Sequence, residues 1–502
     1  MSDVIMLFPK TGEDIGGSIA PPFSLLSAAS LAYKNGYKIK IIDQRTDTKW
    51  NKTLYDEIKK SNPLFIGLTC MTGSQIMFAL EMAKYAKSII KVPIVWGGMH
   101  PTVMPIQTLK NEYVDIIVHR EGEETTLELA EKIEKGKPLK DVKGIAFKEN
   151  GRVVQNPLRS LLDINTLPDI PWELINVEDY ISSSLYIEKG KRMLDIGETS
   201  RGCPFGCGFC CSSAVREYKW RPMKAKKAAE KIVNTVQRFN LDSIWIRDDN
   251  FFVDLKRSKE IFEMMIKEGL DIQWYTAGTR IDTFLQMNSN FIHTMKKSGA
   301  SAFKFGAESG CNRILELINK GQTREDILAA NRKALKYEII PSYAFIGGFP
   351  TETIDELMMT IDLMIQLPKE NPKAIIDSIG MFTPHPRTKL YDLALEHGLK
   401  PPTRLEDWAS WSFFNEAQMT WFTEKEKKVL RNACDICIYS DNLIRALKTI
   451  KDPIERIIFL TVFTPLQKYY NYKWKNKKFG YDPFLRPIRF ARKIFIDKSL
   501  KT

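Results

Sequence analysis

Ser200-Arg201-Gly202-Cys203-Pro204-Phe205-Gly206-Cys207-Gly208-Phe209-Cys210 places three thiols within eight residues, separated by three and then two positions. Such spacing lets one loop wrap a face of a cubane iron–sulfur cluster, and the glycines between the thiols let backbone approach the sulfides. Three protein ligands leave one iron of a four-iron cluster open. The competing reading, structural zinc, needs four converging ligands. Cys211 adjoins Cys210 and is poorly placed for that, while Cys434 and Cys437 are more than two hundred residues away.

The loop follows an apolar run at Leu194 to Thr199. Further strand candidates come at Ser243 to Arg247, Gln273 to Ala277, Ala302 to Gly306, Ser342 to Gly347 and Ile376 to Phe382, with helical segments between them. Six such units over residues 191–400 describe a partial (β/α)6 barrel better than a closed eight-stranded one. Upstream, residues 1–140 alternate in the same way. Strands are expected at Val4 to Phe8, Lys38 to Asp43, Leu64 to Thr69, Ile94 to Gly97 and Asp115 to Val118, and helices at Leu25 to Asn35, Leu54 to Lys60 and Ser74 to Ile90. This pattern predicts a doubly wound parallel α/β sheet, whose ligands bind at the strands' carboxyl ends. Residues 141–190, with the proline-punctuated run Leu167-Pro168-Asp169-Ile170-Pro171-Trp172, read as a connection. Residues 401–502 read as a small helical, aromatic-rich unit over the barrel mouth.

Taken together, 502 residues at 44 % hydrophobic content fit two or three packed domains. The longest apolar run, Ile457 to Phe463, falls far short of the roughly 18 to 20 residues of a membrane span. The start of the chain lacks the basic flank of a signal peptide, so the expected location is cytoplasmic. Eight cysteines, four of them between Cys203 and Cys211, suggest metal rather than disulfides. Much of the net charge of +13 comes from the tail from Lys473 onward, with ten basic side chains against Asp482 and Asp497, interleaved with Trp474, Phe479, Tyr481, Phe484, Phe490 and Phe495. That composition suits peripheral contact with an anionic membrane face or a solvated terminus held by its aromatics; single-stranded nucleic acid is the third and least favoured partner.

The cysteine loop after the first barrel strand resembles the radical S-adenosylmethionine superfamily, and further segments resemble its branch with an N-terminal cobalamin-binding domain. The second to sixth barrel strands end in Asp248-Asp249-Asn250-Phe251, Ala277-Gly278-Thr279-Arg280-Ile281-Asp282, Phe305-Gly306-Ala307-Glu308-Ser309-Gly310, Gly347-Gly348-Phe349-Pro350-Thr351-Glu352-Thr353 and Pro384-His385-Pro386-Arg387-Thr388. Thr351 and Arg387 stand where the family usually has glycine.

The resemblance implies that Cys203, Cys207 and Cys210 ligate a [4Fe–4S] cluster whose open iron chelates S-adenosylmethionine and passes an electron to its sulfonium. It further implies that Phe209 sets its backbone against the adenine, that Glu308 and Ser309 contact the methionyl amine or ribose, and that Gly347 and Pro350 line the adenosyl pocket. Asp248 is a further cofactor-side candidate. For Glu308, the plainer alternative is a strand-end carboxylate paired with a nearby base. In the N-terminal sheet, a corrin's nucleotide tail would thread past Thr69 and Thr72 after the third strand, Gly97 and Gly98 after the fourth, and Glu121 and Gly122 after the fifth. None of the five histidines has an aspartate two residues before it, so cobalamin is expected without a histidine on cobalt. A degenerate sheet that lost its cofactor is the alternative.

The implied function resembles that of the group containing anaerobic Mg-protoporphyrin ester cyclase and the hopanoid methylases: methylation of an unactivated carbon in a hydrophobic, lipid- or isoprenoid-like substrate, with an electron donor such as ferredoxin or flavodoxin. Oxidative cyclisation or carbon–carbon coupling without methyl transfer is the rival within enzymes, and RNA modification or a non-catalytic cobalamin sensor the rivals outside that group.

Overall fold

The computed structural model describes residues 1–12, 19–183, 191–412, 415, 418–442, 453–487 and 489. Its first sheet is built from Val4–Phe8 (β1), Ile39–Asp43 (β2), Phe65–Thr69 (β3), Ile94–Gly97 (β4), Ile116–Val118 (β5), Ile145–Glu149 (β6) and Arg152–Gln155 (β7), in the order β2-β1-β3-β4-β5-β6-β7. β1 to β5 are parallel, and β3 is buried along its whole length because helices cover both faces. Helices Phe23–Lys34 and Glu123–Glu134 pack against each other, and Trp50–Lys60 against Gln75–Ile89.

β6 and β7 fall inside the segment expected as a connection. They run antiparallel to their neighbours and are joined at Asn150 and Gly151, with φ of 49° and 76°. Two successive left-handed residues make the tight turn that suits a hairpin, and Asn-Gly is its usual sequence. The connection therefore begins after Gln155, and it is packed. Trp172 lies edge-on between Phe23 and Phe239, one from each side of the domain junction, and the Tyr180 hydroxyl donates to Asp43 at 2.9 Å.

The second sheet is Met193–Asp195 (β8), Ser243–Ile246 (β11), Gln273–Thr279 (β12), Ala300–Glu308 (β13), Ile340–Gly347 (β14) and Ile375–Met381 (β15). All six are parallel, in the order β8-β11-β12-β13-β14-β15, forming the open curled sheet of a partial barrel. Its core is aromatic: Phe251, Phe252, Phe262, Trp274, Phe303 and Phe305 are buried in mutual contact. A short ribbon, Ser200–Arg201 (β9) with Arg221–Pro222 (β10), closes the base of the cysteine loop.

The C-terminal unit covers more than the barrel. Trp408 and Trp411 pack into the apolar cluster of the N-terminal sheet with Ile5, Leu54 and Ile76. Gln107 donates to the Pro402 carbonyl, and Asn111 to Glu406, both at 2.7 Å. Met419 and Trp421 turn to the β14 end, where Trp421 Nε1 donates to the Gly348 carbonyl at 3.1 Å, and helix Glu424–Cys437, capped reciprocally by Thr423 and Glu426, lies against β15. Of the basic tail, Trp474 and Phe479 are buried, and Lys473 is ion-paired to Asp482 at 2.7 Å. The tail from Phe490 onward lies outside the described residues.

Candidate active site

Gly202 opens the cysteine loop in a left-handed conformation, φ 83°, where a Cβ would stand 2.1 Å from the Lys219 carbonyl; only glycine fits. Asp248 fixes the approach to it. Its carboxylate accepts from the Thr199 amide (2.5 Å), the Thr199 hydroxyl (2.8 Å) and the Ser200 hydroxyl (2.5 Å), so this candidate serves behind the loop rather than facing a cofactor. Asp249 accepts from the Gly202 amide at 3.1 Å and pairs with Arg216 at 2.5 Å. Further along, the Gly208 amide donates to the Ile318 carbonyl and the Gly208 carbonyl accepts from Leu390, which fastens the loop to its neighbours.

Cys203, Cys207 and Cys210 are free thiols at intermediate exposure on this anchored loop. Arg280 Nη1 lies 3.7 Å from Cys207 Sγ; its Nη2 donates to the Lys320 carbonyl at 2.5 Å and pairs with Asp282 at 2.8 Å, and the guanidinium covers the Phe205 ring at 3.9 Å. Three free thiols on one anchored loop, the second of them beside a buried cation, are by chemistry a donor set that suits an electron-rich sulfide cluster with one metal position left open. Cys70, Cys311, Cys434 and Cys437 are all buried, and burial pushes the Cys70 thiol far up, as it does, with Asp435 adding, that of Cys434.

Glu308 is held at φ 63° with its carboxylate 2.7 Å from Lys320 Nζ, both buried. The nearby base of the plainer reading is therefore Lys320, twelve residues downstream, for which the sequence carried no signal. Gly306 makes room for the pair, since a Cβ there would lie 2.2 Å from Glu308 Oε1. Ser309 is fully buried and hydrogen-bonded to Thr360 at 3.0 Å, away from any open surface. Gly347 is packed by Leu357 and Leu430, and Pro350 is buried; Phe209 remains partly exposed, 6.3 Å from the Phe349 ring.

Between the flanks of this loop and the carboxyl ends of the N-terminal strands lies a solvent-open cleft of about 460 Å³. Thr69, Gly97, Gly98, Glu121 and Gly122 line it from one side, and Glu198, Arg201, Arg216 and Arg247 from the other. Thr72 does not; its hydroxyl lies 3.0 Å from His100 Nδ1, and His100 is buried against Trp408. Gly98 has φ 96°, and a Cβ on it would come within 2.9 Å of Cys70 backbone and the Thr69 hydroxyl. Glu121 is clamped by Arg221 at 2.5 Å; burial opposes its charge, but Arg221 and Arg201 hold its carboxyl below the ordinary value. Glu123, 2 % exposed, pairs with Arg201 at 2.7 Å and leaves Oε2 without a partner in the cleft. A deep slot edged by glycines, with an unspent buried acceptor, fits an amide- and hydroxyl-rich corrinoid. No histidine is among the lining residues.

Two family models match the chain, the Radical SAM superfamily over residues 198–364 and the B12 binding domain over residues 16–130, the two halves that meet at this cleft. The chain belongs to the cobalamin-binding radical S-adenosylmethionine enzymes. It is 31 % identical over 465 residues to an uncharacterized methyltransferase of Pyrococcus horikoshii, covering 91 % of this chain and 96 % of that protein. The anaerobic magnesium-protoporphyrin IX monomethyl ester cyclase of Cereibacter sphaeroides is 27 % identical over 390 residues, covering 76 % of this chain and 61 % of that one. Among solved structures, that of the cobalamin-dependent S-adenosylmethionine radical enzyme OxsB, with aqua-cobalamin and S-adenosylmethionine bound, shares the fold with a TM-score of 0.71 at 18 % identity, over 94 % of this chain and 72 % of that one. The cofactors of this enzyme are accordingly a [4Fe–4S] cluster, S-adenosylmethionine and cobalamin.

Proposed function

We propose that the chain is a C-methyltransferase acting on an unactivated carbon of a hydrophobic, lipid- or isoprenoid-like substrate. The observation that carries the reading is the cleft shared by the glycine-edged strand ends and the cysteine-loop side of the barrel. Bound there, the cofactors supply one-electron cleavage of S-adenosylmethionine and carriage of a methyl group. Cys203, Cys207 and Cys210 hold the cluster, Arg280 and Asp249 keep their loop in register, and the Glu308–Lys320 pair fixes the strand end beside Phe209. Thr69, Gly97, Gly98 and Gly122 admit the corrinoid tail.

An apolar substrate is supported by exposed apolar side chains of the C-terminal unit, Ile454 and Ile457 at the start of helix Pro453–Lys475 and Tyr481 and Phe484 within the basic tail, 51 to 80 % accessible. A surface of that kind suits docking on an anionic membrane face. Among the described residues no helix is long and apolar enough to cross a membrane. A ferredoxin or flavodoxin is the electron donor this reading requires. The rival, ring closure as in the cyclase relative, needs no methyl transfer. Incubating the reconstituted enzyme and a reductant with lipid extracts and S-adenosylmethionine carrying a trideuteromethyl group tests the reading. A lipid gaining one trideuteromethyl in place of one hydrogen supports it; label confined to water-soluble products removes the lipid assignment.

A further inference from the structure

Behind the strand ends the cleft continues down one face of the N-terminal sheet. Its lining there is the cross-strand row Met6, Gly67 and Val95, paired in register on β1, β3 and β4, with Thr69 above the row and Phe65 below it. At about 3.3 Å per strand residue, Phe65 lies roughly 13 Å below Thr69 at the rim. Leu25 and Ala28 of helix Phe23–Lys34, with Gly122 and Thr126 at the start of helix Glu123–Glu134, make the opposite wall.

Gly67 is the residue that keeps this slot open. It stands in the middle of β3 without a left-handed backbone, so no turn asks for glycine there. A Cβ on it would meet only Met6 Cγ at 3.6 Å, the Phe65 ring at 3.8 Å and the Ile5 carbonyl at 4.0 Å, all ordinary contacts. A glycine inside a strand weakens the sheet and marks a place where a ligand or another backbone comes close, and the space this one leaves is continuous with the cleft. The opposite wall is trimmed to match, since Gly122 lacks a side chain and its Cβ position is only 3.3 Å from Ala28. The depth of the slot is apolar. Met6, Leu25, Phe65 and Val95 are buried, and β3 is paired along both edges, so its backbone offers no spare donor or acceptor. Among these lining residues, polar side chains are confined to the hydroxyls of Thr69, at the rim, and Thr126.

We propose that the slot opened by Gly67 selects the corrinoid by the base of its nucleotide tail, taking a benzimidazole-type base and rejecting a purine. A dimethylbenzimidazole is flat, apolar and carries a single free ring nitrogen. A purine would bring an exocyclic amine and several ring nitrogens against Met6, Leu25, Phe65 and Val95, which have nothing to pair with them, and each polar group so stranded is worth roughly ten- to a hundredfold in affinity. The inference rests on cobalamin binding in the cleft; it names the cobamide class this chain holds and is independent of the substrate.

The test measures, by absorbance titration of the full chain, the binding of cobalamin, of the cobamide that carries adenine as its base, and of cobinamide, which lacks the nucleotide. The parent is expected to bind cobalamin about tenfold or more tightly than either of the others. In G67V, which fills the slot from the sheet side, cobalamin affinity is expected to fall about tenfold, to the level of cobinamide, whose own affinity is unchanged. Thermal unfolding of apo G67V is expected at or above the parent's, because valine replaces a strand glycine beside open space. A28L fills the slot from the helix side and is expected to reproduce the loss, which keeps the test decisive if G67V does not fold. Adenine cobamide bound as tightly as cobalamin overturns the base selection. Cobinamide bound as tightly as cobalamin by the parent, or cobalamin affinity kept by the folded variants, overturns the slot, and a parent that binds none of the three overturns the corrinoid site with it. Failure to methylate lipid would leave these binding orders untouched, so the inference and the proposed function fail separately.

Discussion

Arg280 Nη1 lies 3.7 Å from the Sγ of Cys207, and the same guanidinium is locked by Asp282, by the Lys320 carbonyl and by the face of Phe205. A donor and a positive charge held at a ligating sulfur stabilise the reduced, more negative cluster. In R280Q the midpoint potential of the reconstituted cluster is therefore expected to shift negative, on the order of 60 mV for a tenfold change in the reduced-to-oxidised balance. R280K, which keeps charge without the fork, falls between. A redox titration followed by electron paramagnetic resonance reads the shift; an unmoved potential means that Arg280 only braces the loop.

Gly98 is a second position where geometry leaves one residue. With φ at 96° and Cys70 backbone within 2.8 Å of where a Cβ would stand, G98A must displace the β3 or β4 end. A loss of about 1 to 3 kcal/mol in denaturant unfolding is expected, together with weaker cobalamin retention. G36A serves as the control, because nothing lies within 4 Å of its Cβ position, although it shares the left-handed backbone.

Glu352 supplies a pH dependence. Burial pushes its carboxyl up from 4.5 to about 8, against the two backbone N–H groups of Gly348 and Phe349 that favour its charge. The folded state thus keeps a proton that the unfolded chain releases above about 4.5. Stability is expected to fall as pH rises from about 4.5 and to level off above about 8, by on the order of a few kcal/mol. In E352Q this component is absent. Unfolding curves of the two proteins from pH 5 to 9 are expected to diverge with rising pH; parallel curves contradict the assignment.

Lys320 and Glu308 form a buried pair, and removing one partner strands the other. K320M is expected to lose about 3 to 5 kcal/mol in denaturant unfolding. The double variant K320M/E308M, in which no charge is left unpaired, is expected to recover most of it. Failure to recover would mean that the pair is not the source of the loss.

Much of the architecture was legible because parallel strands buried on both faces write themselves as continuous apolar runs: Val4–Phe8 and Ile94–Gly97 appear in the structure with the expected bounds. The hairpin β6–β7 was also written in the sequence, at Asn150-Gly151, and was hidden by the proline-rich residues that follow. The return of Trp408 and Trp411 to the N-terminal sheet was not legible, because it depends on contacts with residues some three hundred positions away, such as the Trp408 bond to Gln107. In the site, the thiols and cleft glycines were visible as motifs. Their supports were not: Lys320 and Arg216 acquire meaning only when folding brings them to Glu308 and Asp249, and Asp248 and Ser309, which motif position placed at the cofactor, have their hydrogen bonds taken up by the protein.

The central claim, a cobalamin-dependent radical methyltransferase, is tested most directly by anaerobic reconstitution with iron, sulfide and hydroxocobalamin, followed by product analysis from S-adenosylmethionine under reduction. The expected result is cobalamin bound near one per chain, with 5′-deoxyadenosine and S-adenosylhomocysteine both formed, and 5′-deoxyadenosine abolished when Cys203, Cys207 and Cys210 are replaced by alanine. Formation of 5′-deoxyadenosine without bound cobalamin, or without S-adenosylhomocysteine, would contradict it.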